Sequence, residues 1–145
     1  MTVASAAVIR RSAVRVVVAP DGFGGTLTPS EAAAAIAAGW SSARPTDDVA
    51  EVPMSDGGEG LLDVVAASDP ATRRVPVEVA GPDARPRTAT LLVAPDGTVV
   101  VESADVCGLA LVPPDRRRPL EATTYGVGQA LTAAVGLGAT RIVLG

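Results

Sequence analysis

The sequence predicts an α/β protein with an open parallel sheet and an added β-rich segment. Twice within residues 13–71, a short apolar segment leads into a glycine-rich loop and then into a helix start, the β-loop-α order of a parallel sheet. From residue 72 the chain changes to β-branched runs divided by Gly-Pro and Pro-Asp-Gly turns. We therefore expect a tail (1–12), the first part of an α/β domain (13–71), a β-rich insertion or second subdomain (72–119) and a closing helix and strand (120–145).

Composition and charge exclude several classes of partner. The chain has 145 residues, 48% of them apolar, and its net charge of −4 arises from 12 basic residues, all arginine, against 16 acidic ones. An acidic chain with few, scattered aromatic residues lacks the basic face and stacking platform that nucleic acid needs. No apolar run approaches the ~18 residues of a membrane span. Arg10 and Arg11 resemble a twin-arginine export signal, but a short tail is favoured, and the single Cys107 fits a reducing cytoplasm.

The first β-loop-α unit follows the tail. Residues 13–19 predict a valine-rich strand buried on both faces, and a glycine loop follows it. Thr28 as N-cap, a proline at the first helical position and Glu31 then predict a helix start with a capping box. Gly39 is the expected end of this helix.

The second unit and the rest of the chain are less regular. Residues 47–54 predict a weaker strand, the loop SDGGEG follows at 55–60, and 59–67 predict a second helix. Two strands flanking the Pro-Asp-Gly turn at 95–97 predict a β-hairpin. Residues 105–119 are expected to be irregular, before a helix near Tyr125 and a last apolar strand. The chain stops directly after this strand, where sheets of this class hold ligands, so we expect a protein cut short.

The first glycine loop is a candidate anion site. Glycines let a backbone approach an anion closely, and the following helix N-terminus adds about half a positive charge. The candidate residues are Asp21, Gly22, Gly24 and Gly25. The loop lacks the Gly-Lys-Ser/Thr of a Walker motif, and a plain strand-to-helix turn would contain the same glycines.

The second glycine loop adds two carboxylates. Asp56 and Glu59 stand at a helix mouth, and such groups hold Mg²⁺ or accept a hydroxyl proton, two roles used in phosphoryl transfer. We take both as catalytic candidates, Asp56 also as a metal ligand, and the backbone of Gly57, Gly58 and Gly60 as anion-binding. The alternative is structural: Asp56 caps the helix and Glu59 completes a capping box.

Three further features each have two interpretations. Thr124, Tyr125 and Gly126 gather hydroxyls and N–H groups at a helix start, which fits a small polar ligand or an ordinary threonine cap. Glu102 closes an apolar strand and points either into a cleft or into solvent. The arginine run 116–118 is either a clamp for a carboxylate or phosphate, or a solvated loop.

In this order the motifs closely resemble the glycerate kinase family, the enzymes that phosphorylate D-glycerate with ATP. The resemblance spans residues 14–145 and rests on APDGFGGTLTPSEAAAAIAAG, PMSDGGEG, ESADVCGLALVP and ATTYGVGQAL. It implies a flavodoxin-like α/β domain with an inserted β-containing domain, and a reaction of glycerate with ATP and Mg²⁺ at the candidate residues. The family chain is much longer, so the resemblance implies an N-terminal part that ends before a further glycine-rich loop of the cleft.

One departure from the family bears on catalysis. Where the family has Ser-Phe-Lys-Gly, this chain has Gly-Phe-Gly-Gly, so Gly24 offers a backbone N–H in place of an ammonium group. Loss of one aligned donor costs on the order of 2–4 kcal/mol in the transition state. Because phosphoryl transfer depends on positioning and the chain would hold only part of the cleft, we expect little or no kinase activity from this chain alone. The alternatives are a non-catalytic remnant or small-anion-binding module, and a homo-oligomer or a separately encoded C-terminal half as partner.

Overall fold

The computed structural model describes residues 12–145, so Arg10, Arg11 and most of the predicted tail lie outside the described residues. The fold is mixed α/β, as predicted. Its elements in chain order are β1 (Arg15–Val18), α1 (Pro29–Ala43), β2 (Asp48–Glu51), α2 (Leu61–Ser68), β3 (Arg73–Ala80), β4 (Pro86–Val93), β5 (Thr98–Val101), α3 (Ser103–Cys107), α4 (Tyr125–Gly136) and β6 (Arg141–Leu144). Within the described residues, no helix is both long and apolar enough to span a bilayer.

The first β-loop-α unit forms as the sequence predicts, except in how deeply its strand is buried. β1 and β2 pair in parallel, and α1 packs on one face of the pair through Ala33 and Ala37 against Val18. On the other face Val17 is 60% exposed. The prediction of a strand buried on both faces is therefore wrong, because within residues 12–145 only one face of β1 is covered by a helix.

Helix α1 begins as predicted and ends later. The Thr28 side chain accepts a bond from the Glu31 N–H (3.2 Å), and the Glu31 carboxylate accepts one from the Thr28 N–H (2.8 Å), which completes the capping box. The predicted end at Gly39 is wrong. The helix continues through Gly39 to Ala43 and ends at Arg44, which precedes Pro45 and takes up a non-helical conformation. A residue before proline is disfavoured in the α region, which explains this end.

The second sheet contains four strands in the order β3-β4-β5-β6, and helices cover both of its faces. The predicted hairpin is confirmed, because β4 and β5 pair antiparallel around the Pro-Asp-Gly turn. One face packs against α3 and α4, and the opposite face, with Leu92 and Val100, packs against Leu62 of α2. The interface on the first face consists of almost fully buried side chains, with Leu91, Val99 and Val101 from the sheet and Val106, Ala130 and Ala134 from the helices. Each buried Val or Leu here contributes about 1.5–3 kcal/mol.

The last strand joins the β-rich segment rather than the first sheet. β6 pairs in parallel with β5, so residues 141–144 extend the sheet that residues 73–101 begin. Among the described residues the β1–β2 pair forms a separate sheet, where the sequence predicts one open sheet. The segment expected to be irregular also contains the end of α3 and two short 3-10 turns, Leu109–Leu111 and Pro114–Arg116. The domain boundaries at 72 and 119 stay a prediction.

A buried carboxylate ties the end of α1 to the start of both strands of the first sheet. Asp47 accepts bonds from the Arg44 guanidinium, from the Trp40 indole N–H (3.0 Å) and from the Val14 N–H (3.2 Å). The Asp47 side chain has no exposed surface. The bond from Arg44, followed by those from Trp40 and Val14, holds the pKa of Asp47 well below its usual range.

We expect Asp47→Asn to lower the urea midpoint of unfolding at pH 7. The folded state holds the Asp47 proton less tightly than the unfolded state, so the stability that Asp47 contributes is complete above the usual pKa of 3.8 and is lost as the pH falls below it. The gap between the wild type and the variant should therefore narrow between pH 4 and pH 2. Asp48→Asn, at an exposed position, is the control. A gap that is independent of pH would contradict the assignment.

Candidate active-site cleft

Both glycine loops lie at the same edge of the β1–β2 pair because the parallel ladder continues past the strands. The Val52 N–H donates to the Val18 carbonyl (2.8 Å), and the Met54 N–H donates to the Pro20 carbonyl (2.9 Å). These bonds hold the first loop (20–28) beside the second loop (55–60). Both loops follow the carboxyl ends of parallel strands, which is where open α/β sheets bind ligands.

A cleft of about 770 Å³ opens between the two loops and the segment after α3, which contributes Leu109, Ala110 and Arg117. The structure thus brings together candidate residues that are more than thirty positions apart in the sequence. Those lining the cleft are Asp21, Gly22, Gly24, Gly25, Asp56, Glu59 and Gly60. Gly57 and Gly58 belong to the second loop but do not line the cleft. The third predicted group, Thr124 to Gly126, lies outside it.

The first loop needs glycine at two adjacent positions. Gly24 and Gly25 have φ angles of 43° and 76°, in the left-handed region that favours glycine. A bond from the Phe23 N–H to the Leu27 carbonyl (2.9 Å) closes the loop, and the Asp21 carboxylate accepts the Gly22 N–H (2.6 Å). The space around Gly24 is open, so a side chain there would contact no other atom. Its cost would come only from the left-handed backbone conformation.

The second loop presents its two carboxylates to solvent. Asp56 and Glu59 are both exposed, and Asp56 Oδ1 accepts the Gly58 N–H (3.0 Å). The alternative of a capping box formed by these residues is wrong. The N-cap of α2 is Gly60, in the left-handed conformation with φ 93°, and no side chain of the loop caps the helix. The two carboxylates therefore have no helix-capping role and remain available to the cleft.

The carboxylate that caps α2 comes from a different strand. Glu102, directly after β5, accepts the Gly60 N–H at Oε1 (3.1 Å) and the Leu62 N–H at Oε2 (3.0 Å). It is 7% exposed, and burial, with Asp105 and Asp63 nearby, raises its pKa against the lowering effect of these two bonds. Neither sequence interpretation foresaw this role. The one available signal in the sequence was a carboxylate directly after the three valines of β5.

The carboxylates of the cleft fit a metal ion that is already bound to the phosphates of a nucleotide. Among residues 12–145, no three His, Cys, Asp or Glu side chains are grouped closely enough to hold a metal ion. Asp56 and Glu59 supply carboxylate oxygens, and Mg²⁺ in nucleotide enzymes is held by one or two carboxylates together with phosphate oxygens and water. The two residues therefore fit a magnesium ion that a nucleotide carries, but they do not form a complete cage.

The third predicted group has a clear packing role. Thr124 makes no capping bond, so the threonine-cap alternative is wrong for it; instead the Thr123 hydroxyl accepts the Tyr125 N–H (3.0 Å). A Cβ on Gly126 would stand 1.9 Å from the Ala80 carbonyl oxygen. Glycine at 126 thus lets α4 lie directly against β3.

Most of the chain is similar to known proteins of one family. The model described as the glycerate kinase family matches residues 16–145. An uncharacterised protein of Mycobacterium bovis is 43% identical over 136 residues, which are 92% of this chain and 35% of that protein. The glycerate kinase of Bacillus subtilis is 38% identical over 133 residues, which are 91% of this chain and 35% of that enzyme.

A solved structure agrees with these sequence comparisons. The crystal structure of a protein assigned as glycerate kinase 2 from Salmonella typhimurium LT2 is similar with a TM-score of 0.69 and 34% identity. The match covers 92% of this chain and 36% of that one. The chain therefore spans about a third of the length of the relatives it matches.

We expect Gly126→Ala to destabilise the chain by about 1–3 kcal/mol or more, because the added methyl group overlaps a strand carbonyl. Gly128→Ala, two residues further along α4 with open space around it, is the matched control and should stabilise by about 0.5–1 kcal/mol. Urea unfolding followed by circular dichroism measures both. Equal effects of the two substitutions would show that α4 does not approach β3 this closely.

Glu102→Ala should destabilise by about 1–3 kcal/mol, because the buried Leu62 N–H is left without an acceptor. Glu121→Ala, at an exposed loop position, should change the free energy of unfolding by no more than about 0.5 kcal/mol. Hydrogen exchange at Gly60 and Leu62 gives a second measurement. If protection of these two amides is the same in Glu102→Ala as in the wild type, Glu102 does not cap α2.

Proposed function

The chain belongs to the glycerate kinase family, and from this premise we propose that it forms one wall of a cleft in which the γ-phosphoryl group of ATP is transferred to a hydroxyl group of D-glycerate. The observation that carries the proposal is the meeting of the two glycine loops at one cleft, with Asp56 and Glu59 exposed in it. Related proteins named as glycerate kinases support the reaction class.

Phosphoryl transfer depends on positioning and on charge stabilisation, and the cleft offers groups for both. Asp56 binds the Gly58 N–H through Oδ1, which leaves Oδ2 free to accept the proton of the acceptor hydroxyl or to ligate a cation. Glu59 would supply a second carboxylate for the same cation. The glycine backbones of both loops would approach the phosphate oxygens closely, although the Gly60 N–H already donates to Glu102. When bound with ATP, Mg²⁺ would neutralise the developing phosphate charge.

The other expected features follow from the same proposal. Thr124 and Tyr125, exposed at the start of α4, would contribute to the substrate side of the complete protein, with Gly126 setting their position. The partners would be small molecules, glycerate and ATP, and the reaction would take place in the cytoplasm. A flavodoxin-like domain with an inserted second domain would complete the architecture. Because the chain spans about a third of its relatives' length, most of the catalytic apparatus would come from outside it.

We expect the purified chain to release little or no ADP from ATP and D-glycerate, and to gain activity when it replaces the matching 133 residues of Bacillus subtilis glycerate kinase. In this chimera Asp56→Asn should lower kcat on the order of 10²–10³-fold, because it removes a cleft carboxylate. Asp48→Asn, at the opposite end of β2, is the control.

Three outcomes decide the proposal. A folded chimera that transfers phosphate to no acceptor would contradict it. Binding of glycerate or ATP by the chain, without turnover in the chimera, would support the small-anion-binding module instead. Robust ADP release by the chain alone would contradict the expectation that one wall of the cleft is insufficient.

A further inference from the structure

Among residues 12–145, the cleft is lined by five carboxylates and one guanidinium. The carboxylates are those of Asp21, Glu31, Asp56, Glu59 and Asp63, and the guanidinium is that of Arg117. Asp63 pairs with Arg74, whereas Asp21, Glu31 and Asp56 accept backbone N–H groups, which leave their negative charge unbalanced.

Arg117 is exposed, and its side chain makes one hydrogen bond among the described residues. It follows the 3-10 turn Pro114–Arg116, and its Nε donates to the Val112 carbonyl (3.2 Å). Among the described residues neither terminal nitrogen of Arg117 has an acceptor within hydrogen-bond distance, and no carboxylate lies within ion-pair distance. By contrast, Arg116 and Arg118 do not line the cleft.

An anionic substrate needs a cation in such an acidic cleft. A substrate carboxylate placed beside several like charges is repelled, and a cation that arrives with ATP is engaged by the phosphates of ATP. The first loop cannot supply the charge, since Gly24 has only a backbone N–H to offer. A guanidinium with two free terminal nitrogens matches the geometry of a carboxylate, which it binds through two parallel hydrogen bonds.

We propose that Arg117 binds the carboxylate of the acceptor substrate and supplies the positive charge that the first loop lacks. This inference rests on the proposed function. It assigns a role to one member of the arginine run 116–118, for which the sequence alone allowed either a clamp or a solvated loop. Arg117 also lines a second cavity of about 440 Å³, so it lies on the wall between that cavity and the cleft.

The test is titration of the wild-type chain with D-glycerate, followed by amide NMR or calorimetry. Arg117→Gln should weaken binding at least 10-fold, because it removes a charge-assisted pair of hydrogen bonds. Arg117→Lys should retain part of the affinity, and Arg116→Gln, the matched control, should stay within twofold of the wild type. Glycerol, which lacks the carboxylate, should not bind detectably. Circular dichroism would confirm that each variant is folded.

Each outcome bears on the inference alone. Equal glycerate affinity of Arg117→Gln and the wild type would overturn it, as would an absence of glycerate binding to the wild type. If inorganic phosphate binds in an Arg117-dependent manner and glycerate does not, Arg117 is a phosphate ligand and the carboxylate assignment is wrong. In the chimera, Arg117→Gln should raise KM for glycerate at least 10-fold with KM for ATP unchanged. An active chimera without this effect would refute the inference and leave the proposed reaction intact.

Discussion

The buried carboxylate of Glu102 joins the candidate site to the core of the protein. It lies directly after β5, in the four-stranded sheet, and accepts the N–H groups of Gly60, the last residue of the second loop, and of Leu62, in the first turn of α2. One side chain thus connects the two sheets at the cleft. The N-terminus of α2 carries a partial positive charge that stabilises this anion, while burial opposes its ionisation and raises its pKa. The position of Asp56 and Glu59 depends on this link, because their loop ends at the capped residue.

This arrangement also determines which groups remain for a ligand. The first N–H groups of α2 are used by the protein itself, so the second loop offers ligands its exposed carboxylates more than its helix terminus. The first loop instead offers its open glycine backbone, since a Cβ on Gly24 would meet no atom within 4 Å. The result is an acidic cleft in which, among the described residues, the one lining cation is Arg117, from a third segment of the chain.

Close packing explains why some residues of the sequence motifs have the identity they have. Gly126 lies in a motif of hydroxyls and glycines, yet the Ala80 carbonyl leaves no room for a side chain there. The same glycine can belong to a family motif and also be required for packing. Only the positions of the neighbouring atoms show that packing requires it. The same applies to Glu102. Its carboxylate suggests a catalytic role, whereas its hydrogen bonds show that it caps α2.

Local patterns in the sequence account for the valine-rich first strand, the capping box at Thr28, the hairpin around the Pro-Asp-Gly turn and the two glycine loops. These depend on interactions between neighbouring residues, which propensity and turn chemistry describe. The order of the motifs also identified the family. The tertiary structure alone decided that β6 pairs with β5, that Glu102 caps α2 from forty residues away, and that Arg117 lines the cleft. Such contacts depend on which distant segments meet, and no local pattern in the chain records that.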